Sequence, residues 1–181
     1  MSTSALEGAE ALIVIDMQNS FLHPDGILYY TREAPLLNIQ EVIEVNGRAV
    51  ATARSANIPV VFTRHMFRPG LIDAGPATKA FLEARQTAPL IANTWDTEVV
   101  DQLKYEDALY VDKSRMDAFY NTDLEVFLRG LGANNLVITG IVTNASIETT
   151  VRSAAMRDYS VTVISDGCTT YSAEYQAASL D

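Results

Sequence analysis

The chain has 181 residues, 48% apolar and 20% charged, which is enough for one domain with a sizeable core and too ordinary a composition for wholesale disorder. Thirteen Lys and Arg stand against 23 Asp and Glu, a net charge of −10, and this argues against a general nucleic-acid or anionic-membrane binder, because phosphate-bearing partners require basic surface. No apolar run approaches the roughly 20 residues that cross a bilayer, the opening MSTSALEGAE lacks the basic region of a secretory leader, and the lone cysteine, Cys168, leaves no internal disulfide and no Cys-cluster metal site. A cytoplasmic protein folded as one domain over 1–181 is the expectation.

Ala11–Ile15 (ALIVI) is a continuous apolar run rich in β-branched residues, and continuity without alternation predicts a strand covered on both faces. Ile39–Ala56 spaces Ile39, Val42, Ile43, Val45, Val50 and Ala53 at helical intervals and stops at Asn57. Ile58–Phe62 is a second strand. Pro69–Pro89, dense in Pro and Gly at its start, reads as the longest irregular stretch and as a lid or rim. Ala108–Val111 is a weaker strand. Thr122 with Glu125 forms a capping box that opens a helix over Asp123–Leu131, and Gly132 supplies its left-handed exit. Leu136–Thr139 and Val161–Ile164 complete the strands, with helices over Ala145–Arg157 and Ser172–Leu180. Strand and helix in alternation predict an α/β fold: a doubly wound, mainly parallel sheet flanked by helices in a Rossmann-like three-layer arrangement.

Ligands of such sheets bind beyond the carboxyl ends of the strands, so the residues that follow each strand are the first candidates. Asp16 follows ALIVI, Lys113 follows ALYVD, and Thr143, Asn144 and Ser146 lead from LVITG into a helix. Singly these read as a turn residue, a solvated lysine and a helix cap. Together an acid, a cation and a hydroxyl beside backbone N–H donors supply the parts of nucleophilic acyl transfer. The two histidines, His23 and His65, are too scattered for a metal signal. Phe21, Phe119 and Tyr120 are candidates for a pocket wall. The turn DMQNSFLHPDG has no glycine before Gly26 and no P-loop occurs, which argues against a nucleotide; no cofactor is expected.

At these residues the chain resembles the isochorismatase-like hydrolase superfamily. ALIVIDMQNSF is similar to its first-strand motif, VDKSRMDAFYNTDLEVFLRGLGANNLVITG to its central block, and GIVTNASIETTVRSAAMRDYSVTVISDGC to its nucleophile block and the strand beyond. The resemblance implies Asp16 as catalytic base, Lys113 as the cation beside it, and residue 146 as nucleophile. It also implies a cis peptide before Thr143, with the N–H groups of Thr143 and Ser146 as oxyanion donors, and a homo-oligomer. The amidohydrolases of this superfamily read G-I-x-T-N-x-C-V-E-x-T where this chain has Ser146. The departure reads first as a Cys-to-Ser replacement made to hold a substrate. The other readings are a natural serine-bearing or non-catalytic relative, and the cysteine-free branch that hydrolyses a vinyl ether.

VFTRHMFRPG lacks the acid and histidine partners of the metal-dependent nicotinamidases, so no metal is implied. RHMFRPGLIDAGP is closer to enzymes that cleave carbamoyl or ureido amides: biuret, N-carbamoyl amino acids, ureidoacrylate. In that subgroup Phe21 matches a pocket aromatic and Gln176 an amide-recognising glutamine, whose donor and acceptor suit a neutral amide. Arg64 and Arg68 are candidates to clamp a carboxylate. The expectation is a small linear carbamoyl or ureido amide as substrate, with biuret slightly ahead.

Overall fold

The computed structural model describes residues 9–30 and 34–181. Five strands, β1 (Ala9–Ile15), β2 (Val60–His65), β3 (Leu109–Lys113), β4 (Ala133–Ile141) and β5 (Ser160–Thr169), pair in the order β3-β2-β1-β4-β5. All four pairings are parallel. The helices are α1 (Asn19–Leu22), α2 (Ile39–Ser55), α3 (Pro76–Ala84), α4 (Leu124–Gly130), α5 (Glu148–Ala155) and α6 (Ala173–Leu180).

Unbroken apolarity along β1 follows from helices on both sides of the sheet. Leu12 and Val14 point into a cluster with Val42, Ile43 and Val50 of α2, whereas Ile13 and Ile15 join Leu124 and Leu128 of α4 and Ala154 of α5 on the opposite face. β1 lies at the centre. The chain builds outward to β2 and β3, then returns to lay β4 and β5 on the other side, so the winding reverses between β1 and β4. That reversal opens a crevice at the strands' carboxyl ends, where Ile15 pairs with Gly140.

The doubly wound parallel sheet agrees with the sequence expectation, and several boundaries shift for local reasons. α2 ends as expected, with Asn57 left-handed at φ 57°. Gly132 likewise exits at φ 67°. The capping box is half formed: Thr122 Oγ1 accepts from Leu124 N at 3.3 Å, while Glu125 pairs with Arg129 one turn on. The stretch Pro69–Pro89 is not wholly irregular. Pro76 opens α3 at a position where its fixed φ suits a helix, and good helix formers follow. Leu82 of α3 then packs with Phe67, Leu71 and Leu90 in a third apolar cluster. The helix expected over Ala145–Arg157 divides into a wide turn, Thr143–Ile147, and α5. Among the described residues no helix is long and apolar enough to cross a membrane.

Gly140 holds the switch point together. Its φ is +115°, and a Cβ there would collide with the backbone of Ile15, so only glycine lets β1 and β4 approach this closely. Gly140→Ala is expected to destabilise the fold by about 3–5 kcal/mol, read as a lower urea midpoint. Gly130→Ala, with nothing within 4 Å of the added methyl, is expected to be neutral or to gain up to about 1 kcal/mol.

Candidate active site

Three strand ends and one turn converge on the crevice. Asp16 is the first residue after β1, and its left-handed backbone (φ 53°) turns the chain sharply away from the sheet. Thr63 of β2 fixes it twice: Thr63 Oγ1 donates to Asp16 Oδ1 at 2.7 Å, and Asp16 N donates to Thr63 O at 3.2 Å. Lys113 ends β3 and reaches across β2 to Asp16 Oδ2 at 2.6 Å. Ser146 sits in the turn after β4, where Ile147 N donates to Val142 O at 3.2 Å, a bond one residue wider than a helical turn. Wide turns of this kind are frequent at functional sites.

The three side chains form a closed triangle. Ser146 Oγ donates to Asp16 Oδ2 at 2.9 Å and accepts from Lys113 Nζ at 3.2 Å. The ammonium places its third bond on Arg115 O at 3.0 Å. All three residues are buried. A buried ion pair is tolerable when its donors and lone pairs are used, and here all three ammonium protons have acceptors.

Next to the triangle lies a cavity of about 180 Å³ that reaches Asp16 and Ser146. Its walls are mainly hydrocarbon: Phe21 after β1, Leu28 from the following loop, Phe67 after β2, and Phe81 and Leu82 of α3. Val142 borders it at the start of the turn that carries Ser146. His65 lines this cavity and a second, more open one shared with Arg115, Asp117 and Tyr120. Its Nε2 is sealed from solvent and has no hydrogen-bond partner. Burial, reinforced by the charge of Lys113, pushes the imidazole down to about 4, so the ring is neutral at pH 7.

The structure thus brings Asp16, Lys113 and Ser146 together with Phe21, and it separates the other candidates. Thr143 Oγ1 donates to Gln176 Oε1 at 2.7 Å, and Gln176 Nε2 donates to Cys168 O at 2.9 Å. Gln176 therefore ties α6 and β5 to the back of the turn that carries Ser146 and is not among the residues lining the apolar cavity. Arg64 is held by Asp112 through bonds of 2.7 and 3.0 Å and lies over the Tyr110 ring. Tyr120 is 60% exposed and lines only the outer cavity. The cis peptide is Ile141–Val142, one residue before the expected position, because β4 runs through Ile141 and the turn begins there. Burial raises the Cys168 thiol to about 12, which keeps it an inert thiol.

Gln18 was not foreseen. Its buried amide accepts from His65 N at 2.8 Å and donates to His65 O and Thr97 O at 2.9 and 3.0 Å. It clamps the end of β2 in place, and the only signal in the sequence was its position two residues after Asp16. Among the described residues no group of three or more His, Cys, Asp or Glu is placed to hold a metal ion.

Comparison with known proteins gives this geometry its relatives. The isochorismatase domain model matches residues 10–181. The chain is 36% identical to the ureidoacrylate amidohydrolase RutB of Methylorubrum extorquens, over 87% of this chain and 68% of that protein. It is 34% identical to the RutB of Methylobacterium radiotolerans, over 86% of this chain and 65% of the relative. The chain thus spans about two-thirds of the length of these relatives. Among solved structures, a cysteine hydrolase from Pseudomonas syringae pv. phaseolicola superposes with a TM-score of 0.81 at 29% identity, covering 94% of this chain and 82% of that one.

The buried imidazole gives a pH-dependent term with a definite sign. Free histidine titrates near 6.5 and folded His65 near 4, so between these values the unfolded chain holds a proton that the folded chain rejects. The stabilisation is complete above pH 6.5 and is lost as pH falls toward 4, by at most about 3 kcal/mol. Urea melts at pH 7 and pH 4.5 are expected to show a smaller acid loss for His65→Gln than for the unaltered chain.

Proposed function

The chain belongs to the isochorismatase domain family, and from that premise we propose that it hydrolyses the C–N bond of a small carbamoyl or ureido amide, of the biuret, N-carbamoyl amino acid or ureidoacrylate type. The observation that carries this reading is the triangle at the crevice, in which the Ser146 hydroxyl touches the Asp16 carboxylate at 2.9 Å and the Lys113 ammonium at 3.2 Å. A nucleophile within hydrogen-bond reach of a base, which is itself oriented by a third group, is the arrangement covalent catalysis requires.

In the reaction the Asp16 carboxylate takes the proton of the nucleophile at position 146. The freed pair attacks the amide carbon, and the carbonyl oxygen gathers negative charge. Backbone N–H groups of the turn, those of Thr143 and Ser146 together with that of Val142 at the cavity border, are its donors. As the C–N bond breaks, Asp16 returns the proton to the departing amine. Water, deprotonated by the same carboxylate, then cleaves the acyl-enzyme and regenerates the nucleophile. Lys113, bonded to Asp16 Oδ2 at 2.6 Å, holds the carboxyl group in place.

Serine at position 146 makes the first step slow. A thiol with a reference pKa of about 8.5 lies within reach of a carboxylate, whereas an alcohol is a far weaker acid, comparable to water. The chain as it stands retains the site and turns over slowly, and a thioester route needs cysteine at this position. Ammonia release from biuret, N-carbamoylsarcosine, ureidoacrylate and nicotinamide tests the assignment. Ser146→Cys is expected to raise the rate by at least about 10²-fold, and Asp16→Asn in that background to remove the gain. Equal rates for the serine and cysteine forms would overturn the role given to residue 146.

A further inference from the structure

We propose, resting on the amide-hydrolysis chemistry above but departing from the acidic and ureido side chains named there, that this site prefers an uncharged amide whose substituent is a hydrocarbon group of about butyl or phenyl size. The cavity beside Ser146 is small, about 180 Å³, below the range that encloses drug-sized ligands. Polar side chains are the minority of its lining: Asp16 and Ser146, which would meet the reacting carbonyl, with His65 and Thr78. Beyond them the walls are Phe21, Leu28, Phe67, Phe81, Leu82 and Leu90. α3 contributes one helical face, Thr78, Phe81 and Leu82, to this wall.

A carboxylate seated among these side chains would exchange its water for at most the neutral imidazole of His65 and the hydroxyl of Thr78, with no free cation to pair with, whereas a hydrocarbon group gains by the same transfer. The ammonium of Lys113 is already committed to Asp16, Arg115 O and Ser146. His65 is neutral at pH 7 and adds no positive charge to the wall. The outer cavity gives an acid little more. Arg115 already directs its guanidinium Nη1 to the carbonyls of Asp73 and Ser114, and Asp117 lines the same space with opposite charge.

Calorimetric titration of the unaltered chain with phenylurea and isovaleramide, against ureidoacrylate and N-carbamoylsarcosine, tests the proposal. The two apolar amides are expected to bind at least about tenfold tighter, a difference of 1.4 kcal/mol. Phe81→Arg, at a position 42% exposed and checked for an unchanged melting temperature, is expected to shift the preference toward the two acids by a similar factor. Acids that bind as tightly as the apolar amides, or failure of both apolar amides to bind, would overturn it. Ammonia release by Ser146→Cys separates the two readings. Turnover of the acids alone leaves the hydrolase standing and removes the apolar preference. Binding of phenylurea by the unaltered chain with no turnover of any amide by Ser146→Cys keeps the preference and removes the hydrolase.

Discussion

Lys113 and Asp16 meet inside the protein with 0% and 3% of their side chains exposed, and the rest of the site is arranged around keeping that pair satisfied. Moving two charges out of water costs several kcal/mol for each ion, and their attraction repays it only when the remaining donors and lone pairs are also used. Asp16 spends one oxygen on Thr63 and the other on Lys113 and Ser146. Lys113 divides its three protons among Asp16, Ser146 and the Arg115 carbonyl. Residue 146 is therefore part of the solvation of the charge pair as well as the atom poised over the cavity. A hydroxyl fills that place with ordinary hydrogen-bond lengths.

This demand reaches into the sheet. Asp16, Thr63 and Lys113 come from three neighbouring strands, and their meeting requires the registers that join Ile15 to Thr63 and His65 to Lys113. Because side chains alternate faces along a strand, a slip of one residue in either pairing would turn the lysine away. Buried amides supply part of the fixation. Gln18 grips the backbone of His65 on both sides, and Asn46 of α2 donates to Gly167 O at 2.8 Å, tying that helix to β5. The turn that carries Ser146 has its own anchor, the chain of bonds from Thr143 through Gln176 to Cys168.

What the sequence revealed and concealed follows from the range of each interaction. β1 and Asp16 were legible because a strand buried on both faces leaves a continuous apolar run, and an acid at its end marks the crevice of a doubly wound sheet. Lys113 and Ser146 were legible by the same rule at two other strand ends. Arg64 was not. Its chemistry suits a carboxylate, but Asp112 is 48 positions away and becomes its neighbour only when β2 pairs with β3. Gln176 failed in the same way, since its amide is occupied by a threonine and a carbonyl that only the folded chain brings near. α3 was hidden by the Pro and Gly density around it, although Pro76 is the residue that opens it. The apolar character of the cavity was hidden with it, because two of its walls stand on that helix.

β3 has five residues and a single neighbour, β2, so it forms one margin of the sheet. The cation on which the site depends is thus carried by the last rung of an unprotected ladder, while Asp16 and Ser146 belong to the protected interior. Marginal strands open with less free energy than the whole fold. Opening of β3 alone would part the ammonium from the carboxylate while the other four strands stay paired. Such an opening would keep most of the secondary structure and lose the charge pair, so the integrity of the site and the integrity of the core are separable quantities in this fold.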